Sequence, residues 1–139
     1  MGVRSIIGLA VVLAGCGLLP AGRTAVTLPG GEGYGPVPVV LDDPGAVVAT
    51  VDVGPTDADS FPPTVAVRDG DSVVVGWLGG ACDDRTRLRV VAREAEIGIT
   101  IHTDQKLGLG CTAVGIRRSV TITFNAPLGG RSVVLDEAN

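Results

Sequence analysis

From Val37 onward the apolar residues fall into short runs, several of them alternating with polar ones, with turn residues between the runs. Ile97, Ile99 and Ile101 alternate with Glu96, Gly98, Thr100 and His102, and Val120, Ile122 and Phe124 alternate with Ser119, Thr121 and Thr123. A period of two sends successive side chains to opposite faces and predicts strands with one wet face. Similar runs cover residues 37–41, 46–53, 64–68, 72–78, 85–91 and 131–136. Asp69-Gly70 stands between two of them, and an Asp-Gly pair between β-branched runs is a strong hairpin signal. No sustained helical period occurs after the N-terminal run. About seven or eight short strands in about 100 residues predict an all-β fold, an antiparallel β-sandwich of immunoglobulin-like architecture, with a small barrel as the alternative.

The segment before this body has a different character. Residues 17–36 hold Pro20, Pro29 and Pro36 and six glycines, without periodicity. Such a stretch buries little apolar surface, and the pattern predicts a flexible tether of roughly 25 Å r.m.s. span. An irregular first layer of the fold is the alternative. The division expected is therefore a leader over residues 1–15, an N-terminus and tether over 16–36, and the β-domain over 37–139.

Residues 1–20 read MGVRSIIGLAVVLAGCGLLP. Arg4 supplies a positive start, residues 6–13 a short apolar core, and Ala14-Gly15 the small residues of a cleavage site, which is the build of a secretory signal peptide. The apolar stretch of about 15 residues falls short of the roughly 18 needed to span a bilayer. Leu13-Ala14-Gly15-Cys16 in that setting resembles the lipobox of bacterial lipoproteins. The resemblance implies that the Cys16 thiol is thioether-linked to diacylglycerol and that a peptidase cuts just before it. Acyl chains contribute about 0.8 kcal/mol per buried methylene, and two chains anchor stably. The protein would then sit on the extracytoplasmic face of the cell membrane, with the membrane as its first partner. Loss of Arg4 leaves ten basic against fifteen acidic residues, a formal charge of −5.

With Cys16 assigned to a lipid, Cys82 and Cys111 remain. In an oxidising compartment two thiols in a small domain pair, so a Cys82–Cys111 disulfide is expected. Their separation excludes a CxxC redox motif and leaves no metal-ligand spacing. The GGACDD turn, the later cysteine and the closing APLGGR also resemble small lipoproteins common in actinobacteria. That resemblance implies no activity.

Composition narrows the function classes. The chain of 139 residues is 45% hydrophobic but only 3% aromatic, so its core must be built from Val, Ile, Leu and Ala. A formal charge of −4 and a pI near 4.8 argue against nucleic-acid binding, which calls for a basic face. One histidine and an initiator Met leave no soft or imidazole cluster, and neither metal nor cofactor is expected. Asp42-Asp43, Asp83-Asp84, Asp57 and Asp59 could offer oxygens to calcium, but adjacent Asp residues in turns more often cap backbone N–H groups. Trp77 is expected to be core filler.

Two candidate sites stand out. By alternation His102 faces solvent, and as a general base it would need a nearby nucleophile from Ser60, Ser72, Ser119 or Ser132. Arg85, Arg87 and Arg89 share one strand face and could bind an anionic ligand such as a glycan, a phosphate or a membrane surface. The plainer account is a solvated face paired with Glu94, Glu96 and other acids. The expected function is a non-catalytic binding or scaffolding module of the cell envelope, with another envelope protein or a cell-wall component as partner. A carrier of a small or lipidic ligand, or a hydrolase using His102, are the alternatives.

Overall fold

A computed structural model describes residues 24–106, 108, 111 and 115–136. Among them are nine strands and no helix, and so none long and apolar enough to cross a membrane. The strands are β1 (Thr24–Leu28), β2 (Val37–Asp42), β3 (Val48–Val53), β4 (Thr64–Asp69), β5 (Ser72–Gly79), β6 (Asp83–Ala92), β7 (Glu96–Gln105), β8 (Ile116–Phe124) and β9 (Ser132–Asp136). They form a five-stranded sheet in the order β1-β2-β6-β7-β9 and a four-stranded sheet in the order β3-β8-β5-β4. The two sheets pack face to face, with β1 beside β3 along one side and β4 beside β9 along the other. The expected β-sandwich is what the chain forms.

Two features of the topology differ from the sequence expectation. The four-stranded sheet is wholly antiparallel, but the five-stranded sheet contains two parallel pairs, β2 with β6 and β7 with β9. These arise because the connections leaving β2 and β7 cross to the other sheet before returning. The strand order also differs from the ABED and CFG sheets of immunoglobulin domains, so the likeness stays at the level of architecture. The second difference is β1. It lies inside the stretch assigned to the tether, pairs antiparallel with β2, and buries Leu28 to 3% exposure. The β-domain thus begins at Thr24 or earlier. Cys16 and the leader lie outside the described residues.

The core is aliphatic, as the composition requires. Val39, Leu88, Val90, Ile97 and Ile99 from one sheet meet Val73, Val75, Trp77, Val120, Ile122 and Phe124 from the other. Each set follows period two along its strand, which is why these positions and not their neighbours are dry. β5 is buried on both faces from Ser72 to Trp77, matching its nearly unbroken apolar run. Its outer side is covered by loop 54–63, which passes over β8 and β5 on its way from β3 to β4. There Gly54 N–H bonds Ser119 O (3.0 Å), Ser119 Oγ–H bonds Pro55 O (2.6 Å), and Thr64 Oγ1–H bonds Asp59 O (2.7 Å). Gly76 makes this passage possible, because a Cβ there would collide with the Asp59 carbonyl oxygen.

Candidate functional site

The outer face of the five-stranded sheet gathers Arg85, Arg87, Arg89 and His102. Arg85, Arg87 and Arg89 project from alternate positions of β6, with 53%, 51% and 60% of their side chains exposed. Register sets Asp104 of β7 opposite Arg85 and His102 opposite Arg87. It also sets Asp42 of β2 opposite Arg89. Asp104 is the hub. Its carboxylate accepts from Arg85 Nε (2.6 Å) and Arg87 Nη2 (2.9 Å), and lies 3.2 Å from His102 Nε2. Arg89 Nη1 donates to Asp42 (2.8 Å). The bond from Arg85 holds the Asp104 carboxyl below the usual carboxylate range; partial desolvation opposes this and the bond from Arg87 adds to it. The same contact raises the Arg85 guanidinium above its ordinary value.

The three arginines therefore share one face, as alternation predicts, but their partners are Asp104 and Asp42. Glu96 instead pairs with Arg93 (2.8 Å), which also grips Asp136 of β9 (2.7 Å). A Cβ on Gly98 would collide with that Arg93–Asp136 pair. Bonds to Asp136 and then Glu96 raise the Arg93 guanidinium above its ordinary value. These are exposed pairs in high dielectric, and each contributes little to stability. Each guanidinium keeps further N–H donors beyond those its carboxylate uses.

His102 is half exposed, as its position in the alternation requires. Its acidic neighbour is Asp104, and its cross-strand neighbour is Arg87. The serines lie elsewhere. Ser72 and Ser119 belong to the other sheet, Ser60 is buried in the loop covering that sheet, and Ser132 pairs with Glu96 at the far end of β7. A Ser–His relay is therefore not assembled from these residues. The acid pairs serve the backbone and the arginines. Asp43 accepts from the N–H groups of Val47 (3.1 Å) and Val48 (2.8 Å), which is the capping role expected of it. No group of three or more metal-ligating side chains occurs among the described residues.

The disulfide joins Cys82 and Cys111 with Cα atoms 5.6 Å apart, within the range such bonds favour. It ties the turn between β5 and β6 to the segment that leads into β8. Directly beside it is a pair that strand-by-strand reading missed. Asp83 and Arg118 face inward, with side chains only 2% and 4% exposed. Arg118 Nε donates to Asp83 Oδ2 (3.3 Å), and Gly80 N–H donates to the same oxygen (2.8 Å). Arg118 is also the cross-strand neighbour of Trp77. The signal was present: Arg118 sits two places before Val120, on the apolar parity of β8. Trp77 itself is core, 3% exposed, with an indole N–H that has no hydrogen-bond partner.

The four-stranded sheet and its loop have a different surface. All the large hydrophobic residues that remain exposed among the described residues lie there: Val53, Phe61, Val67 and Leu78. Phe61, in loop 54–63, is 81% exposed. No protein-family model, curated protein or solved structure matches the chain.

Proposed function

We propose that the chain is a lipid-anchored, extracytoplasmic protein of the cell envelope, and that its β-sandwich is a non-catalytic binding or scaffolding module. One observation carries the reading. Cys82 and Cys111 are joined in a disulfide, so Cys16 is the one cysteine left over, and it occupies the last position of Leu13-Ala14-Gly15-Cys16 behind a positive and then apolar leader. A paired disulfide suits an oxidising compartment, and a thiol at Cys16 suits lipid attachment. The membrane is then the partner through the lipid, and another envelope protein or a cell-wall component is the partner of the domain. The row of guanidiniums at Arg85, Arg87 and Arg89 is a surface on which an anionic component could be held.

Growth with radiolabelled palmitate tests the anchor. Wild-type protein takes up label and fractionates with membranes, whereas Cys16→Ala takes up none and is either released or left unprocessed. Unlabelled wild-type protein refutes the reading.

A further inference from the structure

The two sheets end in the edge strands β1, β9, β3 and β4, and an edge strand offers unpaired N–H and C=O groups to a further strand. Most of these edges are interrupted. The ladders of β1, β3 and β4 each shift register, between Thr24 and Val26, Val48 and Thr50, and Val67 and Asp69, and such bulges twist an edge away from partners. β4 also follows directly on Pro62-Pro63. β9 lacks these devices. Its register with β7 runs unbroken from Ser132 to Asp136, and its sequence, SVVLD, holds no proline. Its one charged side chain, Asp136, is already held by Arg93. β4 lies on the same side of the sandwich but hydrogen-bonds to β5 and not to β9.

Parity fixes which groups of β9 are free. Ser132 N–H bonds Ala95 O (3.2 Å), so the backbone groups of Ser132, Val134 and Asp136 turn toward β7. Those of Val133 and Leu135 turn outward, and no other backbone group among the described residues bonds them. The side chains of Val133 and Leu135 pack on the core, which leaves Ser132, Val134 and Asp136 on the outer face.

We propose that β9 pairs antiparallel with β9 of a second copy of the chain, about a twofold axis at Val134, so that the two five-stranded sheets become one. In that register Val133 and Leu135 of each copy exchange both outward backbone hydrogen bonds with Leu135 and Val133 of the other. Their side chains continue the apolar layer across the seam. On the outer face Val134 meets Val134, and Ser132 meets Asp136. Asp136 Oδ2 is taken by Arg93 Nη2 (2.7 Å), whereas Oδ1 stays 3.5 Å from Nη1 and can accept the Ser132 hydroxyl. No like charges stand opposite each other, which cross-strand pairing requires. A twofold copy satisfies both ends of β9 at once, and this self-complementarity selects it over an unrelated strand.

Strands this short bury much less than a standard interface of roughly 1,600 Å², so the contact is transient and a covalent trap suits it. Val134 facing its own copy is a non-hydrogen-bonded pair, with Cα atoms about 4.5 Å apart, inside the disulfide range of about 4.4–6.8 Å. Cells producing the full chain with Val134→Cys are treated with copper phenanthroline, and products are identified by mass spectrometry of the joined peptides. A dimer linked through position 134 of both copies is expected. Ala66→Cys, exposed on the edge strand β4, should give none. Adding Val133→Pro to Val134→Cys removes an outward N–H without touching the ladder to β7, and should cut the dimer about tenfold through the lost hydrogen bonds. Unchanged emission from Trp77, the sole tryptophan and a buried one, shows that each variant is folded. Absence of the dimer in a chain whose Cys82–Cys111 bond is intact overturns the proposal, as does equal trapping by Ala66→Cys or a folded Val133→Pro chain that is trapped undiminished. Capture of a different protein at position 134 overturns it in favour of a foreign strand.

Discussion

Replacing Arg118 by Met removes the cation from an ion pair that is nearly dry, its side chains 4% and 2% exposed. Methionine keeps an unbranched chain of similar length beside Trp77, so the loss is mainly of charge. Asp83 still accepts the Gly80 N–H (2.8 Å) but loses its one counter-charge among the described residues. Breaking one side of a buried pair costs about 3–5 kcal/mol. The single 3.3 Å contact from Nε puts this case near the lower end, about 3 kcal/mol. Net stabilities of domains run to about 5–15 kcal/mol, so the change is large. With a urea slope of about 2 kcal/mol/M, the unfolding midpoint should fall by about 1.5 M. Trp77 is the sole tryptophan and the cross-strand neighbour of Arg118, so its emission follows the transition from within the perturbed region. Asp83→Asn combined with Arg118→Met should recover most of the loss, because no charge is then buried and the amide oxygen can still accept from Gly80. A midpoint for Arg118→Met close to wild type, or a double variant less stable than Arg118→Met, would falsify this account of the pair.

Three further outcomes can be measured. Cys82→Ser with Cys111→Ser opens a loop with a sequence separation of 29 and should lower stability by roughly 3.5 kcal/mol in the chain-entropy model, read by urea denaturation; an unchanged midpoint contradicts it. Gly76→Ala drives a methyl into the Asp59 carbonyl oxygen, so loop 54–63 must shift. A loss of about 1–3 kcal/mol together with faster proteolysis of that loop is expected, and neither change in a folded variant would dispose of the close-packed loop. Asp104 has a depressed carboxyl in the folded state, caused first by Arg85. Its stabilising contribution is therefore present above the unfolded-state value of about 3.9 and is lost as pH falls through the lower folded value. Asp104→Asn should accordingly show a shallower loss of stability on acidification than wild type below pH of about 4, and parallel curves would count against the Arg85–Asp104 contact.

Local pattern was enough for the eight strands from Val37 onward, because each carries its own alternation and its own turn signals. It was enough also for the shared face of Arg85, Arg87 and Arg89 and for the solvent position of His102, since both follow from parity within one strand. The disulfide followed from the count of cysteines. Parity says nothing of partners, however. Glu96 is close to the arginine row in sequence, yet Asp104 and Asp42 are opposite it in space, and one of these comes from a strand that pairs in parallel after a crossover. Arg118 shows the other limit. Its inward parity was legible, but a guanidinium inside an aliphatic core is tolerable only with a buried carboxylate beside it, and Asp83 is 35 residues away along the chain.

The strand β1 was hidden for a related reason, and its recovery alters more than the strand count. Thr24–Leu28 is five residues long, followed at once by Pro29-Gly30-Gly31, so nothing in its own composition outweighs the surrounding breakers. What stabilises it is the unpaired edge of β2 and the pocket that receives Leu28, neither of which exists until the rest of the sandwich has formed. Once it is added, the chain between Cys16 and the first described strand shortens from the twenty residues expected to seven. A domain on the longer tether would present every face to its surroundings. On the shorter one, the lipid proposed for Cys16 would hold the edge of the sandwich where β1 lies beside β3 within reach of the bilayer.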